Sequence, residues 1–107
     1  MNEKKWMIYG ANGFSAMLAI EESVKRGLKP VLAGRSPAIE KIAQEFDLDF
    51  QIFPLSSVNE VASQIKGLAV VANCAGPFSE TAEIMIQACI IAKVHYIDIT
   101  GEISVYD

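Results

Sequence analysis

The chain has 107 residues, 51% of them hydrophobic and 21% charged, with a formal net charge of −4. This length and apolar content suit one folded domain and exclude a disordered tail, and the mild acidity without a basic stripe argues against a nucleic-acid partner. No apolar run reaches the ~18–20 residues of a membrane span, MNEKKW at the start lacks a secretory signal pattern, and Cys74 and Cys89 form no CxxC pair, so a reduced, cytoplasmic chain is expected.

Along the chain, apolar residues follow two alternating rhythms. WMIY (6–9) is a short continuous run, as in a strand buried on both faces. Phe14, Met17, Leu18, Ile20 and Val24 then recur at three- and four-residue steps, with Glu21, Glu22 and Lys25 opposite. They predict an amphipathic helix with Lys25 and Arg26 in its last turn and Gly27 beyond. PVLAG (30–34) reads as a second strand. Ser36 as N-cap and Pro37 at the first helical position predict a helix to about Phe46. FQIFP (50–54) is a third strand, whose closing proline suits a sheet edge. Ser57 followed three residues later by Glu60 is a capping box opening a helix that closes near Gly67. LAVVANC (68–74) is a fourth, very apolar strand, Ser79 to Lys93 a helix, and HYIDI (95–99) a fifth strand.

The order βαβαβαβαβ, with short loops, predicts an α/β fold. A Rossmann-like, doubly wound parallel sheet of strand order 3-2-1-4-5 is expected, in one domain over 1–107. In such a sheet, ligands bind beyond the carboxyl ends of the strands, at the switch point between strands 1 and 4.

Four loops lie there. Gly10, Gly13 and Ala16 give GxxGxxA between a strand and a helix. Gly10 permits a tight turn, Gly13 lets a pyrophosphate approach the backbone, and the helix N-terminus presents free N–H groups. A plain βα turn is the alternative. After strand 2, Gly34 is 21 residues beyond Gly13, where an acid would grip the adenosine ribose of NAD. Arg35 and Ser36 stand there instead. An arginine fork and a hydroxyl suit a 2′-phosphate, which favours NADP over NAD, although Arg35 taken alone reads better as a solvated loop arginine. After strand 4, Asn73 and the turn at Gly76-Pro77 form a non-helical wall suited to the nicotinamide side, or simply a tight turn. After strand 5, Asp98, Thr100, Gly101 and Glu102 lie within reach of a substrate, whereas His95 begins the strand and is expected at its amino end. One acid pair does not make an acid–base site, so no catalytic residue is assigned. No metal site is read. Cys74 and Cys89 read as small core residues.

YGANGFSA, LAGRSP, VVANCAGPF and YIDITGE, in this order, resemble the NADP-binding domain of the saccharopine dehydrogenase family, including its trans-acting enoyl reductase type. The resemblance runs from about residue 6 to 103. Asn12 and Ala16 depart from the family's G-A-T-G-F-[TS]-G pattern. The resemblance implies that Gly10, Asn12, Gly13, Phe14 and Ser15 cradle the pyrophosphate. Gly34, Arg35 and Ser36 would face the 2′-phosphate, and Cys74, Ala75, Gly76, Pro77 and Phe78, beside Asn73, would line the nicotinamide side. It implies hydride transfer to or from a small-molecule substrate held by a further domain of a larger two-domain oxidoreductase. A non-catalytic dinucleotide-binding module, sensing or regulatory, is the alternative. A short-chain dehydrogenase also has a glycine loop and N-x-A-G, but its Y-x-x-x-K pair is not matched here: Tyr9 is followed four residues on by Gly13 and Tyr96 by Thr100, and Tyr106 runs out of chain. Apolar surface near strand 5 and the last helix leads us to expect self-association, with a homodimer as its simplest form.

Overall fold

The computed structural model describes residues 5–11, 14–74 and 79–98. Within them, β1 (Trp6–Tyr9), α1 (Phe14–Lys25), β2 (Val31–Gly34), α2 (Ala38–Phe46), β3 (Phe50–Ile52), α3 (Val58–Ile65), β4 (Val70–Asn73), α4 (Ser79–Ala92) and β5 (His95–Asp98) follow in turn. The strands pair in parallel in the order β3-β2-β1-β4-β5, as expected.

Alternation of side chains across the sheet divides the core in two. Met7, Tyr9, Val31, Ala33 and Val71 face α3 and α4, meeting Val61, Ile65, Met85, Ala88 and Cys89. Ile8, Leu32 and Ala72 face α1 and α2, meeting Ala16, Ile20, Ile39 and Ala43. Burial on both sides explains why WMIY and VLAG are continuously apolar. β3 is an edge strand, and its Phe50 and Ile52 are exposed.

The helix ends show how local chemistry sets the element lengths. α1 closes with Gly27 at φ 81°, its N–H donating to the Val24 carbonyl at 3.0 Å while Leu28 N–H donates to Ser23 at 2.9 Å. This is the Schellman pattern expected of a glycine there. α2 and α4 end the same way on residues that are not glycine, Asp47 (φ 58°) and Lys93 (φ 63°). Leu48 N–H reaches Ala43 and Val94 N–H reaches Cys89, both at 2.9 Å. At α3, the Ser57 hydroxyl accepts from Glu60 N–H at 3.2 Å, but the Glu60 carboxylate takes the Ser56 hydroxyl at 3.0 Å, so the N–H of Glu60 is capped and its carboxylate serves a neighbour. No helix among the described residues is long and apolar enough to cross a membrane.

Candidate functional site

The chain winds outward from β1 to β2 and β3, then returns to place β4 and β5 on the other flank of β1. Connections therefore diverge above β1 and β4, which is where an open sheet of this order has its ligand crevice, at the carboxyl ends. Tyr9 closes β1 there, with Ala33 on one side and Asn73 on the other. Beyond Tyr9 the chain bends over the end of β2: the N–H groups of Gly10 and Ala11 both donate to the Ala33 carbonyl, at 2.7 and 3.0 Å. Gly10 has φ 82°, a left-handed conformation that a side chain would resist. α1 starts four positions later at Phe14, so the first N–H groups of the helix, those of Phe14 and Ser15 among them, lie beside the crevice without intrahelical partners. Asn12 and Gly13 fall outside the described residues.

At the end of β2, Gly34 is glycine for lack of space. A Cβ there would stand 2.9 Å from Cδ1 and 3.2 Å from Cγ1 of Ile39, a fully buried side chain of α2. Arg35 follows, exposed, and then Ser36, half-buried. The Ser36 hydroxyl accepts from Ala38 N–H at 3.1 Å. Pro37, which precedes α2, already has helical angles (φ −59°, ψ −18°) and makes no side-chain bond. Ser36 is therefore the working cap of the helix. The segment from Val31 to Ile39 contains no carboxylate.

At the end of β4, Asn73 is fully buried on the α3/α4 side and donates from Nδ2 to the Tyr96 hydroxyl at 3.2 Å. Cys74 N–H donates to the Tyr9 carbonyl at 2.7 Å, and its half-buried side chain packs with the α1/α2 cluster. Ala75, Gly76, Pro77 and Phe78 lie outside the described residues, as do Thr100, Gly101 and Glu102. Asp98 ends β5 in register with Asn73. His95 opens that strand, exposed, at the amino end as expected.

Two tyrosines near the crevice escaped sequence reasoning, Tyr9 and Tyr96; their place at inward strand positions was the available signal. Tyr9 is 2% exposed, and its hydroxyl donates to the Phe53 carbonyl at 2.6 Å. Burial pushes its phenol from 10.0 up to about 12, against the opposing pull of the Arg35 positive charge. Burial likewise raises the Cys89 thiol from 9.0 to about 11, as befits an unreactive core cysteine.

A parallel sheet with a left-handed glycine at the switch point and a helix N-terminus beside it defines a dinucleotide-binding α/β domain. Comparison of the sequence with known families makes this specific: the chain belongs to the saccharopine dehydrogenase family, matching its NADP binding domain over residues 6–106. NADP is accordingly its cofactor, and the absence of an acid from Val31 to Ile39 beside an exposed Arg35 fits that group.

Among solved structures, a protein of Bacteroides thetaiotaomicron provisionally assigned as an epimerase is 25% identical, with a TM-score of 0.73 over 91% of this chain and 47% of its own. The NADPH-dependent quinone oxidoreductase QOR2 of Escherichia coli, complexed with NADPH, is 20% identical, with a TM-score of 0.70 over 86% of this chain and 35% of its own. Gre2 of Candida albicans, also with NADPH, is 14% identical, with a TM-score of 0.68 over 92% and 36%. The last two likenesses concern the fold alone. This chain spans about half the length of the first and about a third of the others. No sequence among curated proteins matches it significantly.

Proposed function

We propose that this chain binds NADP(H) for an oxidoreductase, holding the cofactor while a substrate from a further domain is reduced or oxidised over the carboxyl edge of the sheet. When bound, the nicotinamide supplies or accepts the hydride at C4. The chain contributes binding and orientation. The Gly10 turn and the start of α1 take the pyrophosphate, Arg35 and Ser36 take the 2′-phosphate, and the segment from Asn73 onward lines the nicotinamide side. The observation that carries this reading is an exposed arginine, in a segment from Val31 to Ile39 that contains no acid, at the end of the strand next to the glycine turn. An arginine fork there favours a 2′-phosphate, which a ribose-gripping carboxylate would repel.

Calorimetric titration with NADPH and NADH tests it. NADPH should bind more tightly, and Arg35→Ala should remove about 1.5–3 kcal/mol from NADPH alone, the range of a hydrogen bond to a charged group. Equal affinity for both cofactors, or an unchanged preference in the variant, would refute the assignment of Arg35.

A further inference from the structure

The Tyr9 side chain presents a question that packing does not answer. It is buried among apolar residues, where phenylalanine would fill nearly the same volume, yet it carries a hydroxyl bonded to a backbone carbonyl at 2.6 Å. The carbonyl belongs to Phe53, which directly follows the three-residue edge strand β3. Phe53 is a bridge. Its N–H donates to the Gly34 carbonyl at 2.9 Å, its carbonyl accepts from Tyr9, and its ring leans on the Tyr9 ring at 5.1 Å between centroids. Pro54 comes next and has no N–H to extend the ladder.

The consequence falls on Arg35. Both carbonyls that precede it are tied: that of Ala33 to the Gly10 and Ala11 N–H groups, that of Gly34 to Phe53 and through it to Tyr9. Arg35 thus leaves a backbone held at both preceding carbonyls, and its charge is felt at the Tyr9 phenol. A guanidinium fork recognises phosphate by direction as well as charge, so its base must not drift.

We infer that Tyr9, acting through Phe53, is a positioning residue for the 2′-phosphate end of the cofactor site and sets the preference for NADP over NAD. This rests on the reading of Arg35 given above.

The test titrates the wild-type chain, Tyr9→Phe, Arg35→Ala and the double variant with both NADPH and NADH. Tyr9→Phe should weaken NADPH by about 3- to 10-fold and leave NADH unchanged, the effect of loosening one charge-assisted contact. The double variant should bind NADPH no more weakly than Arg35→Ala, because Tyr9 acts through Arg35. Equal weakening of both cofactors, no change in their ratio, or additive losses in the double variant would overturn the inference while leaving the role of Arg35 intact. An Arg35→Ala chain that keeps the wild-type ratio would instead refute the Arg35 reading, and this one with it. Phe53→Leu keeps both backbone bonds available and removes the ring contact, so it serves if Tyr9→Phe does not fold. It should lower the NADPH to NADH preference by about 2- to 3-fold, and an unchanged preference would count against the pair.

Discussion

The Cα of Gly10 lies 3.7 Å from the point that a Cβ on Gly34 would occupy. A glycine just past β1 and the last residue of β2 thus meet at the carboxyl edge of the sheet, for different reasons. Gly10 is needed for its conformation, φ 82°. Gly34 is needed for space beside Ile39.

The difference can be measured. Gly34→Ala should cost about 1–3 kcal/mol by overpacking, and Ile39→Val, which deletes the crowding Cδ1, should cost about 0.5–1.5 kcal/mol alone. Together they should cost less than their sum, since the valine makes room for the new methyl. A urea-denaturation double-mutant cycle with additive losses would show that Ile39 is not what excludes a side chain there.

Alkaline pH should destabilise the fold in two stages. The unfolded chain releases the Cys89 proton near 9.0 and the Tyr9 proton near 10.0, whereas the folded chain holds them to about 11 and about 12. Between those limits the unfolded state binds fewer protons, so stability falls as pH rises, and the contribution is complete only below pH 9. Each group accounts for about 1.4 kcal/mol per pH unit within its window. Denaturant midpoints from pH 8 to 11.5 should decline more gently in Tyr9→Phe/Cys89→Ala, and an unchanged slope would contradict the assignment.

Asp47 and Lys93 hold left-handed positions at helix ends that glycine takes without strain. Asp47→Gly and Lys93→Gly should each stabilise the fold by about 0.5–1 kcal/mol. The gain should be larger at position 47. There an acid sits at the negative end of α2, whose last turn contains no base to offset it, whereas Lys93 already complements the dipole of α4. Thermal melts of the two variants would rank them.

Ile90 and Ile91, near the end of α4, are 66% and 54% exposed, and Ile97 on the edge strand β5 is 49% exposed. Ile97 stands in register with Ala72 and so faces the α1 side, while α4 covers the other. Apolar surface therefore flanks both sides of the β5 edge, and we expect concentration-dependent self-association. Ile91→Lys should weaken it in sedimentation velocity. A wild-type chain that stays monomeric at high concentration would remove the expectation.

Much of this protein is written locally. Continuous apolar runs alternating with three-and-four spacing yield the strands and helices, because burial on two faces or one dictates composition residue by residue. Short connections between them require a parallel sheet with right-handed crossovers. Gly27, Ser36 and Ser57 mark helix ends through bonds to residues at most four positions away, so their roles are legible in the sequence. The left-handed turn at Gly10 belongs with them, whereas the crowding of Gly34 by Ile39 is a packing contact that spacing does not show. Tertiary structure decided the rest. Asp47 and Lys93 adopt left-handed angles that neither residue favours, with Leu48 packed against one core cluster and the buried Val94 belonging to the other. Asn73 meets Tyr96 across neighbouring strands. Tyr9 finds its acceptor 44 residues away, just past an edge strand brought near only by the pairing of β1 with β2 and β2 with β3. Propensity and spacing act over a few residues, whereas a buried hydroxyl takes whatever acceptor the packed sheet brings to it.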